Sequence, residues 1–161
     1  MTKERLHSFE PMPLRSQVVR CNGLTILNDC YNANPLSFAR ALETLRDLQT
    51  RRKVAIVGDM LELGEYASSA HQAIGRLATQ LGIDAVIAVG EYADHVAQGV
   101  RETRPDGVTT YRTVPELLEQ LPMMLQQGDG LLVKGSRKLN LEQVAEFLLN
   151  RKAGSDPHRG V

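Results

Sequence analysis

The chain opens on two short runs of strand-forming residues, Gln17 to Cys21 and Leu24 to Asn28, separated by Asn22-Gly23. Asn-Gly between such runs is the strongest short-range signal for a β-hairpin, because both loop positions need positive φ. With these two as the loop, Cys21 faces Leu24, and Arg15 falls opposite Cys30 and beside Asp29. A basic residue thereby meets an acidic one. The same register separates Cys21 from Cys30 by roughly 20 Å of strand, too far for a disulfide.

Beyond Pro35, a first-turn residue, Phe38, Ala41, Leu42, Leu45 and Leu48 recur at helical spacing up to the basic cluster Arg51-Arg52-Lys53. The apolar run Val54 to Val57 then reads as a strand. Ala70, Ala73, Ile74, Leu77 and Leu81 mark the next helix, ended by Gly82. The alternation continues through a strand at Ala85 to Val89, a helix at Ala93 to Val100, a strand at Val108 to Tyr111 and a helix from Pro115 to Leu125. Leu131-Leu132-Val133 is the last strand. Leu141, Val144, Ala145, Leu148 and Leu149 stripe a final helix, with Asn140 and Gln143 spaced as a capping box. Short apolar strands alternating with helices predict an α/β fold: a doubly wound, mostly parallel sheet of about six strands with an antiparallel edge hairpin strand.

Composition narrows the function classes. A length of 161 residues suits one domain. The 19 basic residues balance 19 acidic ones, so no broad field favours nucleic acid or an anionic membrane, and a charged ligand must be bound locally. Met1 to Arg5 leads into no apolar stretch and no run approaches the ~18 residues of a membrane span, so a cytoplasmic location is expected. Two cysteines outside any Cys-x-x-Cys pair, and four histidines without helical ligand spacing, predict no metal site built by the protein.

In open parallel sheets ligands bind beyond the carboxyl ends of the strands. Asp29-Cys30-Tyr31-Asn32-Ala33-Asn34-Pro35 leaves the second strand and is rich in amides able to hydrogen-bond a base or ribose; the same residues also suit an ordinary turn and helix cap. Lys134-Gly135-Ser136-Arg137 leaves the last strand with two cations and a hydroxyl, a combination that binds carboxylate or phosphate or, alternatively, makes a solvated basic loop. Asp59 and Glu62 could pair as carboxylates or favour the following helix dipole. His71 could contact ligand or serve as a capping or surface histidine. Neither a Walker A loop nor G-x-G-x-x-G is present, so the chain cannot cradle a triphosphate alone and a nicotinamide-dependent enzyme is disfavoured.

Three motifs together resemble the Mur ligases, and within them the branch that joins D-alanyl-D-alanine to UDP-N-acetylmuramoyl-tripeptide. They are Asp29 to Pro35 followed by Ser37; Gly58-Asp59-Met60-Leu61-Glu62-Leu63-Gly64 with His71; and Leu132-Val133-Lys134-Gly135-Ser136-Arg137. The similarity runs from Phe9 to Leu149, with one departure at Pro13-Leu14-Arg15, where the family shows Pro-Gly-Arg. It implies an N-terminal extension over 1–8, a Rossmann-like Mur ligase C-terminal domain over 9–150 and a flexible tail over 151–161.

The resemblance further implies a cytoplasmic ligase with two more domains, one holding the UDP-sugar and a central P-loop domain binding most of ATP with Mg2+. ATP phosphorylates the tripeptide carboxylate, and the dipeptide amine attacks the acyl phosphate. Arg15, Asp29, Tyr31, Asn32 and Asn34 are then expected on the nucleotide side. Asp59, Lys134, Ser136 and Arg137 are expected around the acceptor dipeptide, with Lys134 and Arg137 as the catalytic cations. Alone, the domain should be inactive. The alternative is a free-standing Rossmann-like module that binds an amino acid or nucleotide without catalysis, for which Met1 would be a natural start.

Overall fold

A computed structural model describes residues 17–30 and 33–151; Arg15, Tyr31 and Asn32 lie outside the described residues. The hairpin pairs β1 (Gln17–Cys21) with β2 (Leu24–Asp29) in antiparallel register, with Cys21 opposite Leu24 and Gln17 opposite Asn28, as the Asn-Gly loop predicts. Asn22 and Gly23 both take positive φ, 48° and 82°, the geometry such a two-residue loop requires. Both cysteines are free thiols.

Among the described residues, five α-helices and four further strands follow: α1 (Pro35–Asp47), β3 (Arg52–Val57), α2 (Ala67–Gln80), β4 (Ala85–Val89), α3 (Ala93–Arg101), β5 (Val108–Tyr111), α4 (Val114–Met124), β6 (Asp129–Lys134) and α5 (Glu142–Asn150). The sheet runs in the order β1-β2-β6-β3-β4-β5, and every pairing except β1 with β2 is parallel. Two apolar layers cover it. Phe38, Leu42 and Leu45 of α1, Ile74 and Ala78 of α2 and Val96, Ala97 and Val100 of α3 pack on one face. Leu117 and Leu121 of α4 and Val144 and Leu148 of α5 pack on the other.

Two capping boxes fix helix starts. Asn34 accepts the Ser37 N–H at 2.9 Å while the Ser37 hydroxyl takes the Asn34 N–H, and Thr113 does the same with Glu116 before α4. The expected box at Asn140 does not form. Asn140 has φ 58° and closes the 3-10 turn Arg137–Leu139, so Leu141 becomes the N-cap of α5 with no side-chain bond. A short turn inserted after β6 has taken the residue that spacing assigned to the helix.

The basic cluster after α1 is divided between helix end and strand. Lys53 Nζ donates to the Leu48 and Thr50 carbonyls, satisfying groups left open where α1 stops. Arg52 makes a two-pronged pair with Asp129, at 3.0 and 2.9 Å, across the first rungs of β3 and β6. Asp129 is 1% exposed, so this pair pins the amino edge of the sheet. The carboxyl edge is left to other chemistry.

Candidate functional site

The crevice is opened by topology. β2 and β3 send their following helices, α1 and α2, to one face, whereas β6 between them sends α5 to the other. Loops that part in this way leave a gap at the carboxyl edge, the place where doubly wound sheets bind ligands. The end of β6, with Lys134, Gly135 and Ser136 after it, lies at this switch point.

Parallel register sets Asp29 beside Lys134, 105 residues apart in sequence, and their side chains form an ion pair at 3.0 Å. Lys134 is 1% exposed and its ammonium lies 5.5 Å from the Phe38 ring centre. Two groups expected on separate nucleotide and acceptor sides are therefore joined in one ion pair, Lys134 buried and Asp29 partly exposed. Cys30 next to them is a hydrogen-bonded core thiol donating to Asn28 Oδ1 at 3.1 Å. Burial, reinforced by the nearby charges of Glu142 and Asp29, pushes its pKa up to about 12, so it is held protonated.

Gly58 and Gly135 let the β3 and β6 ends touch. The Gly58 N–H donates to the Lys134 carbonyl at 2.7 Å, and a Cβ built on Gly135 would lie 2.9 Å from the Gly58 Cα. Immediately beyond, Asp59 joins three loops. Its carboxylate accepts the Glu91 N–H at 3.0 Å and the Tyr92 N–H at 2.9 Å, holding the start of α3, and its main-chain carbonyl accepts the Ser136 N–H at 2.8 Å. Gly90 leaves room for this carboxylate, since a Cβ there would lie 2.6 Å from its oxygens. Glu62, by contrast, is exposed with a left-handed backbone, φ 62°, while Asp59 is buried.

His71 is neither a helix cap nor a surface residue. It is fully buried on α2, where Nε2 accepts the Met60 N–H at 2.9 Å and Nδ1 lies 2.7 Å from the Ala67 carbonyl. A carbonyl only accepts, so Nδ1 carries the proton and the ring is neutral. It stacks on Tyr92 with centroids 4.5 Å apart. Burial is the main cause lowering its pKa, against weaker opposing effects from the Ala67 carbonyl and Asp59.

The remaining expected residues fall into two sets. Ser136 is 8% exposed, and its hydroxyl is buried without a hydrogen-bond partner among the described residues. An unmet buried hydroxyl costs free energy, so its presence at the crevice marks a place where a ligand group would be satisfied. Arg137, next along, is exposed. Asn34 is exposed at the start of α1, its side-chain oxygen already engaged as the cap. Spacing did not reveal the roles of Asp59 and His71 as loop ties, because their partners lie on other loops brought close only by the fold.

These features define a doubly wound α/β domain whose polar crevice lies where neighbouring strands send their helices to opposite faces. Residues 14–137 match the model of the Mur ligase, glutamate ligase domain, and the chain belongs to that family. It is 39% identical over 138 residues to UDP-N-acetylmuramoyl-tripeptide--D-alanyl-D-alanine ligase of Treponema pallidum, a match covering 83% of this chain and 29% of that enzyme. Among solved structures, MurF of Acinetobacter baumannii superposes with a TM-score of 0.81 at 27% identity, over 88% of this chain and 32% of that one. MurF ligase of Thermotoga maritima, solved in complex with ADP, does so with a TM-score of 0.70 at 27% identity, over 86% and 31%. The chain spans about 30% of the length of the curated relatives it matches.

Proposed function

We propose that this chain serves as the acceptor-binding and nucleotide-capping domain of an ATP-dependent ligase that joins D-alanyl-D-alanine to UDP-N-acetylmuramoyl-tripeptide. The observation carrying this reading is the buried, unmet Ser136 hydroxyl beside Lys134 at the mouth of the crevice. Ser136 and Arg137 would receive the dipeptide carboxylate, and Lys134 would add positive potential from below. Asp59 would turn its remaining lone pairs toward the dipeptide ammonium. Arg137 and Lys134 would also meet charge developing on the transferred phosphate.

Asp29 would face ribose, with Arg15, Tyr31, Asn32 and Asn34 completing the nucleotide side. The triphosphate needs a P-loop that this sequence lacks, so ATP and its Mg2+ would be held mainly by a partner domain. No group of three or more potential metal ligands occurs among the described residues. No helix among the described residues is long and apolar enough to cross a membrane. The domain alone would form no peptide bond.

The test is steady-state kinetics of the complete ligase with dipeptide varied at saturating ATP. Ser136→Ala should lower kcat/KM for the dipeptide about tenfold, and Arg137→Ala roughly 10- to 150-fold, the range for one hydrogen bond to a charged group. The melting temperature should hold, because Ser136 loses no described bond. Wild-type dipeptide kinetics in both variants would remove this crevice from the acceptor site.

A further inference from the structure

We infer that His71, although fully buried, is a positioning residue for the acceptor crevice: by accepting the Met60 N–H it aims the Asp59–Met60 peptide at Ser136. The inference rests on the functional reading of the crevice given above, and its structural half is testable without it.

The geometry is that of one rigid plane. The Met60 N–H and the Asp59 carbonyl belong to the same peptide unit, and a trans peptide points them in opposite directions. On one side the N–H donates to His71 Nε2 at 2.9 Å; on the other the carbonyl accepts the Ser136 N–H at 2.8 Å. Holding one end therefore sets the other. Ser136 is the residue whose hydroxyl stands unmet in the crevice, so its backbone position decides where that hydroxyl reaches.

A second path returns to the same ring. The Asp59 carboxylate holds the Glu91 and Tyr92 N–H groups, and the Tyr92 ring stacks on His71 with 17° between planes. His71 is itself fixed to its own helix by the Ala67 carbonyl at 2.7 Å. The imidazole thus closes a circuit through the β3, β4 and β6 ends. It uses one nitrogen as donor and the other as acceptor, which only neutral histidine in the Nδ1–H form provides. Phenylalanine keeps a ring for the stack but has no acceptor. Glutamine places an oxygen near the Nε2 position and keeps the acceptor without the ring.

Amide exchange on the 161-residue chain separates these roles. In His71→Phe, the Met60, Ser136, Glu91 and Tyr92 amides should exchange about tenfold faster or more, the effect of losing one hydrogen bond's protection, while Val57 and Leu132 in the sheet stay at the wild-type rate. His71→Gln should restore Met60 and Ser136. Acceleration confined to Met60, or spread equally over the sheet amides, would overturn the inference. Should His71→Phe fail to fold, the wild-type imidazole nitrogen spectrum at pH 7.5 decides: a bare Nε2 is required, and an Nε2–H tautomer refutes the proposal. In the complete ligase, His71→Phe should raise the dipeptide KM about tenfold with the ATP KM unchanged, and His71→Gln should return most of it. A wild-type ligase inactive toward D-alanyl-D-alanine would defeat the proposed function, while the exchange data still decide whether His71 positions Ser136.

Discussion

Cys30 shows how one side chain's environment overrides its intrinsic chemistry. It follows Asp29 in the stretch most like a ligand loop, and a free thiol in such a loop invites a nucleophilic reading. Burial, Glu142 and Asp29 instead push its pKa to about 12, so the thiolate is negligible at neutral pH. Iodoacetamide at pH 8 should therefore modify Cys21, which is partly exposed, and spare Cys30 until urea unfolds the chain. Labelling of Cys30 in the native protein at the rate of Cys21 would contradict its burial. Asp29, its neighbour, carries a similar lesson. The hairpin register predicts Arg15 beside it, a position outside the described residues; the described partner is Lys134, supplied by a parallel strand that no local pattern could align.

The helices raise a conflict between propensity and packing. Gly75 in α2 and Gly99 in α3 sit inside helices, where glycine costs about 1 kcal/mol relative to alanine. Taken alone, each would be a site for a stabilising substitution. The helices cross so closely, however, that a Cβ on Gly75 would run into the Val96 carbonyl oxygen and one on Gly99 into that of Gln72. These are backbone atoms that cannot swing aside. Gly75→Ala and Gly99→Ala should each lower stability by about 1–2 kcal/mol net, the overpacking penalty exceeding the propensity gain; urea denaturation measures it, and a gain in midpoint would show that the helices separate freely. Helix existence was readable from apolar spacing, and so was the termination of α2 at Gly82, which has φ 78°. The 3-10 turn that displaced Asn140 from its expected cap was not, because a three-residue turn has no periodicity of its own.

Across the whole molecule, the loops at the carboxyl edge are tied through a neutral histidine, and this gives stability a pH dependence. Burial holds the folded-state pKa of His71 below its ordinary value, so in mildly acid solution the unfolded chain binds a proton that the folded chain refuses. The contribution is complete above about pH 6.5 and is lost as pH falls from there toward the lowered folded value. The urea midpoint of wild type should drop between pH 7.5 and 5.5, and His71→Gln should flatten that drop; parallel slopes for the two proteins would assign the effect elsewhere. The alternation of strands and helices, the hairpin register and the polar loops around Asp29, Asp59 and Lys134 were legible in the sequence, because each depends on residues a few positions apart. The insertion of β6 between β2 and β3, the pairing of Lys134 with Asp29 and the peptide linking His71 to Ser136 arise only on folding. Strand order is chosen by which apolar faces bury together across many tens of residues, a sum over distant pairs that no local period records.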